Sequence, residues 1–125
     1  MDEAIKLAVK ALDSRKAMDI EVLHIGSLTV MADYFVICSG SSGTQIRTLG
    51  DEVEYQLKEQ LDLMPLHREG SAASNWVLLD YGYFIVHVFH RDARDFYKLE
   101  HLWADADRVD PESLINQEGE ESNEV

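Results

Sequence analysis

The chain has 125 residues, of which 46% are hydrophobic and 28% charged, and its formal net charge is −13 at pH 7. This length and balance predict one soluble globular domain with a core of its own, and no apolar run reaches the roughly 20 residues that a membrane-spanning helix needs. The acidic charge argues against a nucleic-acid binder whose affinity comes from phosphate contacts, and it favours a basic partner or solubility alone.

The first half of the chain predicts a helix, two strands and a second helix. Apolar residues at helical spacing predict the first helix over 2–18, and strands follow at 19–25 and 34–38. The second strand is apolar throughout and is expected inside the sheet. A second helix then runs to about Gln60, and Ser42 and Gln45 have the spacing of a capping box at its start.

The second half predicts three strands and a third helix. Pro65 ends the second helix, and a short edge strand is expected over 66–69. Two strands at 76–79 and 83–90 form a hairpin, whose turn contains Gly82 because glycine adopts a positive φ at little cost. Asp92 is the expected cap of the last helix, which carries an apolar face of Phe96, Leu99, Trp103 and Ala106.

This order of elements predicts an α/β (α+β) fold, with a mixed sheet of about five strands and helices packed on it. The domain is expected to span 1–110. Residues 111–125 carry acids and few apolar side chains, which is typical of a disordered acidic tail. Cys38 is the only cysteine, and the N-terminal segment lacks a signal- or transit-peptide pattern, so we expect a cytoplasmic protein.

The glycine- and serine-rich segment 39–43 lies between a strand and a helix, where phosphate groups can bind to free amides. It is not a P-loop, because no Lys-Ser or Lys-Thr pair follows Gly43. A tight turn with a helix cap is the preferred explanation. A nucleotide-binding enzyme or nucleotidyltransferase is the alternative function, but it requires paired acids near the loop, and only Glu69 and Asp80 are available on the following strands.

Other candidates for chemistry are isolated. His87 and His90 are three residues apart in one strand, so they point to opposite faces of the sheet and cannot share a metal. Cys38 lies in a buried strand, where packing is its expected role. We therefore expect no catalytic residue, no metal site and no cofactor.

The hairpin and the last helix together offer an aromatic and acidic set of side chains. Tryptophan, tyrosine and arginine are favoured at binding hot spots, although Trp76 is equally well explained as a core residue. This set is the part of the chain most suited to meet a protein partner. Its members are Trp76, Asp80, Tyr81, Tyr97 and Glu100.

From about Leu23 to Val109 the chain resembles the ribosomal silencing factors, also called the iojap-like family. The resemblance rests on many short segments in the family's order, which together are specific. They are residues 32–37, 39–41, Gln45, 69–70, 76–82, 86–89, 94–103 and 105–106.

The resemblance implies a nucleotidyltransferase-like fold without the catalytic acids. It also implies binding to large-subunit ribosomal protein fourteen, which blocks association with the small subunit and lowers translation when nutrients are scarce. Members of the family can form homodimers. Tyr83 departs from the family, which often has an acid after the turn glycine. On this basis the expected partner-binding residues are Trp76, Leu78, Asp80, Tyr81, Gly82, Arg94, Tyr97, Lys98 and Glu100.

Overall fold

The computed structural model describes residues 2–26, 32–70, 75–93 and 107–115. Two long helices and six strands are present among them, and up to β5 they follow the predicted order. The elements are α1 (Glu3–Ser14), β1 (Met18–His24), β2 (Tyr34–Gly40), α2 (Gly43–Leu61), β3 (His67–Glu69), β4 (Trp76–Asp80), β5 (Phe84–His90) and β6 (Asp107–Val109). None of the described helices is long and apolar enough to cross a membrane.

The strands form one mixed sheet in the order β3-β4-β5-β2-β1-β6. The central strands β2 and β5 pair in parallel, and the chain between them passes through α2, β3 and β4. The other pairs are antiparallel. This confirms the predicted mixed sheet and the position of β3 at an edge. The sheet has six strands rather than five, because the short segment β6 pairs with β1 through Val22 and Val109. The nucleotidyltransferase-like label stays a prediction.

The two faces of the sheet carry separate hydrophobic clusters. Both α1 and α2 pack on one side, which we call the helix face, where Leu12 and Leu57 meet Val36 and Val86 of the central strands. The other side carries Phe35, Ile37 and Phe89, with Trp76 and Leu78 packed against them, and we call it the aromatic face. Because β2 and β5 contribute to both clusters, these strands are apolar on both sides.

Helix α1 begins at Glu3, with Asp2 as its cap, and it ends four residues before the predicted end. Asp2 Oδ1 accepts hydrogen bonds from the amides of Ala4 (2.8 Å) and Ile5 (3.2 Å). At the other end Lys16 has a φ of 64°, and the amide of Ala17 donates to Leu12 O at 3.0 Å. This is the bonding of a Schellman motif, in which a left-handed residue stops the helix.

Residues beyond 90 differ from the expectation at one helix cap and add a short helical segment. A helical segment begins at residue 91, and the amide of Asp92 donates to Nδ1 of His90 at 3.2 Å, so His90 rather than Asp92 occupies the cap position. Residues 111–115 are helical and Leu114 is buried in the helix-face cluster, so the packed body extends past residue 110. Phe96, Leu99, Trp103, Ala106 and the segment 116–125 lie outside the described residues.

Candidate functional site

Strand β4 divides the candidate residues between the two faces of the sheet. Successive side chains of a strand point to opposite sides. Val77 and Leu79 accordingly belong to the helix-face cluster, while Trp76 and Leu78 pack against the aromatic face. Trp76, Leu78 and Asp80 thus form one row, and each of them is partly exposed.

Trp76 is half-buried and held by two ring contacts. Its indole stacks on Phe89, with ring centroids 4.9 Å apart and an interplanar angle of 27°. Its Nε1 donates a hydrogen bond to Nδ1 of His87 at 3.2 Å. The strand pairing explains both contacts, because Phe89 is directly opposite Trp76 and His87 is its diagonal neighbour. The indole is therefore fixed in position while part of its surface remains open.

His87 is buried on the aromatic face, edge-on to Phe35 with ring centroids 4.7 Å apart. Burial lowers the pKa of His87 to about 3, so the imidazole is neutral near pH 7. Because Nδ1 accepts from Trp76, the proton resides on Nε2, which has no hydrogen-bond partner within the described part of the chain. Sequence reasoning gave this residue no role, although the hairpin register already places it diagonal to Trp76.

Asp80 and Gly82 build the turn of the hairpin. Asp80 Oδ1 accepts a hydrogen bond from the amide of Gly82 at 2.8 Å, and the amide of Tyr81 donates to Phe84 O at 3.0 Å. Gly82 has a φ of 93°, which confirms the predicted positive φ at this position. One oxygen of the Asp80 carboxylate is thus used by the turn.

Tyr81 is a core residue, and its burial argues against its predicted place on the partner-binding surface. It is 5% exposed, belongs to the helix-face cluster, and stacks on Phe84 with centroids 4.9 Å apart and rings almost parallel. Its hydroxyl has no hydrogen-bond partner among the residues described, and burial raises the pKa of Tyr81. The side chain supports the hairpin from inside and lies on the opposite side of the sheet from Trp76.

Tyr83 has an intramolecular role. Its hydroxyl donates to Oδ1 of Asp2 at 2.6 Å, the same oxygen that caps α1. Burial and this hydrogen bond raise the pKa of Tyr83. Tyr83 therefore connects the hairpin to the beginning of α1.

The glycine-serine segment before α2 is closed by Gln45. Ser42 Oγ accepts from the amide of Gln45 at 3.1 Å, which confirms the predicted cap. The Gln45 carbonyl, however, accepts from the amide of Ser41 at 2.6 Å, and its amide group donates to the carbonyls of Arg15 and Lys16 at 3.4 and 3.3 Å. These contacts connect the start of α2 to the end of α1, and they occupy amides that a phosphate would need.

The remaining candidate residues lie either in the described part of the chain or outside it. Cys38 is buried in β2, as expected. Among the described residues, no three His, Cys, Asp or Glu side chains are grouped so that they could hold a metal ion. The remaining predicted contact residues lie outside the described part of the chain: Arg94, Tyr97, Lys98 and Glu100.

The sequence matches one protein family and curated relatives that carry the same family name. The family model for RsfS, "Ribosomal silencing factor during starvation", matches residues 1–125. The ribosomal silencing factor of Halalkalibacterium halodurans is 39% identical over 115 residues, which cover 91% of this chain and 97% of that protein. That of Bacillus subtilis is 39% identical over 113 residues, covering 90% and 95%.

Structural comparison agrees with the sequence comparison. A crystal structure of a Chromobacterium violaceum protein has a TM-score of 0.78 and 35% identity, covering 83% of this chain and 88% of that one. The family match includes the hairpin that holds Trp76, Asp80 and Gly82, and it extends through residues 111–125. This protein belongs to the family of ribosomal silencing factors.

Proposed function

We propose that this protein binds the large ribosomal subunit through large-subunit ribosomal protein fourteen and blocks association with the small subunit. Translation would then be repressed when nutrients are limiting. The observation that carries the proposal is the match of the whole chain to a family of ribosomal silencing factors. The cytoplasm, where such ribosomes work, is the proposed location, and homodimer formation is a separate proposal that light scattering of the purified protein tests.

The proposed contact surface is the row of Trp76, Leu78 and Asp80 together with the turn at Gly82. The indole of Trp76 is already immobilised on Phe89, so binding restricts few additional rotamers. Tryptophan in such a position is a frequent binding hot spot. Arg94, Tyr97, Lys98 and Glu100 complete the proposed surface. Tyr81 is left out because it is buried.

The charge of the protein supports a basic partner. Its formal net charge is −13, and a ribosomal protein that lies against RNA is basic. Opposite charges accelerate encounter and fix orientation more than they raise affinity. The same charge disfavours close approach to RNA phosphates, so the partner would be the protein rather than the RNA. Inhibition requires no chemical step, since a folded domain at the intersubunit face is an obstruction by its volume.

Co-sedimentation with purified large subunits tests the binding step. We expect the wild-type protein to migrate with large subunits at low micromolar concentration, and Trp76→Ala to weaken binding by about 2 kcal/mol, or roughly 30-fold. Tyr81→Phe is the matched control, because it alters a buried hydroxyl of the same hairpin and should bind normally. Thermal denaturation followed by circular dichroism verifies that each variant is folded.

A subunit reassociation assay tests the inhibitory step. Excess wild-type protein should shift a mixture of large and small subunits away from the complete ribosome, and Trp76→Ala should require a correspondingly higher concentration. The proposal fails if wild-type protein does not co-migrate with large subunits, or if reassociation proceeds undisturbed in its presence.

A further inference from the structure

Large apolar side chains are exposed at the end of α2 and in the loop that follows it. Tyr55 is 60% exposed, Met64 53% and Leu66 77%. Single exposed apolar residues are ordinary, but neighbouring ones form a patch that suits protein contact. Among the described residues, the other exposed large apolar side chains are Leu61 at the end of α2 and Tyr83 in the hairpin, so most of the exposed apolar surface lies at this corner.

The patch continues into a groove with acidic walls. Tyr55 and Met64 line it together with Asp51, Glu54 and Lys58. The cations nearby are already paired. Arg68 contacts Asp51 at 3.0 Å and Glu54 at 2.8 Å, and Lys58 contacts Asp62. Arg47 also lies 3.9 Å from Asp51, and Glu59 is close enough to Lys58 to raise its pKa. Four carboxylates therefore surround three cations on this surface, and a small net negative charge remains that can attract a basic partner.

The patch is contiguous with the hairpin turn. The amide of Leu66 donates to Asp80 O at 2.7 Å. Leu66 Cδ1 lies beside Gly82, at 3.4 Å from the position that a Cβ on that glycine would occupy. A partner that covers Asp80 and Gly82 would thus reach Leu66 without leaving the surface.

We propose that Tyr55, Met64 and Leu66 form a second part of the contact with the basic ribosomal protein. They would receive a segment of that partner in which lysine or arginine accompanies an apolar side chain. This inference rests on the proposed function and extends its contact surface around the β3 edge of the sheet.

The chemistry of the groove favours a basic polypeptide over RNA. Because carboxylates outnumber cations on this surface, it disfavours phosphate groups. The apolar side chains can cover the aliphatic stem of a lysine or arginine whose charged end reaches a carboxylate. Met64 is flexible and adapts its shape to a partner. The groove therefore offers each part of a basic side chain a matching surface.

Protection of an introduced thiol tests the contact. Cys38 is buried, so Leu66→Cys provides a single accessible thiol in the described part of the chain, and its alkylation by a maleimide can be followed by mass spectrometry. We expect saturating large subunits to slow this alkylation at least tenfold. Gln60→Cys is the matched control, because Gln60 lines the opposite groove between α1 and α2 and should remain reactive.

An affinity measurement gives an independent result. Leu66→Ser should weaken co-sedimentation with large subunits about threefold to tenfold, whereas Gln60→Ser should not change it. Leu66 is so exposed that its truncation cannot remove a core contact. If wild-type protein binds large subunits but Leu66→Cys stays unprotected, or Leu66→Ser binds normally, the second contact is refuted and the proposed function stands. If wild-type protein does not bind at all, both are refuted.

Discussion

Acid should destabilise this protein through His87. Burial lowers the pKa of His87 from an ordinary value of 6.5 to about 3. Between these two values the unfolded chain binds a proton that the folded protein cannot accept, so stability falls as the pH decreases. The slope is about 1.4 kcal/mol per pH unit, and the loss reaches about 2 kcal/mol at pH 5 relative to neutral pH. Above pH 6.5 this loss is absent.

The interval between pH 6.5 and 5 isolates the histidine from the carboxylates. Glu52 and Asp62 have lowered pKa values, since each accepts hydrogen bonds, Glu52 first from Gln56 and Asp62 from Lys58. A carboxylate whose pKa is lowered by folding stabilises the protein until the pH falls below its ordinary pKa near 4. Their contribution is therefore still present at pH 5, and a slope in this interval is assigned to a histidine.

His87→Phe is the informative variant. Phenylalanine can occupy the aromatic surroundings of Phe35 and Phe89 but does not titrate, so its free energy of unfolding should be nearly independent of pH in this interval. Urea denaturation followed by circular dichroism at pH 7.5, 6.5, 5.75 and 5 measures both curves. His67→Gln changes an exposed histidine and should keep the wild-type slope. Parallel curves for wild type and His87→Phe would refute the reasoning.

Two further predictions concern residues whose structural role is clear. Lys16→Gly should stabilise the protein by about 0.5–1 kcal/mol in urea denaturation, because glycine suits the positive φ at this position, and Lys16→Ala should have little effect because it keeps the Cβ. Tyr81→Ala should destabilise the fold by about 3–5 kcal/mol, whereas Tyr81→Phe should be neutral or slightly stabilising, because it removes a buried hydroxyl without a described partner. Thermal denaturation of both tyrosine variants measures the difference, and a folded Tyr81→Ala protein with unchanged stability would contradict the core assignment.

Local signals in the sequence were sufficient for most elements. The spacing of apolar residues and the positions of turn-forming residues predicted both described long helices and five strands. Long apolar stripes and continuous apolar runs carry a strong signal. Strand β6 could not be predicted from its three residues, Asp107–Val109, which have little strand character of their own. It pairs because the outer edge of β1 offers unsatisfied backbone groups, and that is a property of the folded sheet.

The candidate site shows where local reasoning stopped. Strand alternation alone separates Trp76, Leu78 and Asp80 from Val77 and Leu79, but Tyr81 was grouped with the first set by its proximity to the turn. Its burial depends on the stack with Phe84, which the sequence does not reveal. The capping box likewise predicted that Ser42 and Gln45 interact. It could not predict that the Gln45 oxygen would accept from the amide of Ser41, or that its amide group would donate to the carbonyls at the end of α1.

The pairing of Trp76 with His87 connects stability to the proposed function. The imidazole can accept the indole N–H only while Nδ1 is unprotonated, and burial keeps it so near neutral pH. The burial that makes the fold sensitive to acid is thus the condition for holding Trp76 in place. Phenylalanine at position 87 would give a core that resists acid but would leave Nε1 of Trp76 without this acceptor. Stability of the sheet in acid therefore favours a residue at position 87 that does not titrate, whereas the placement of Trp76 favours one that accepts a hydrogen bond. Histidine provides the acceptor and lowers the stability in acid.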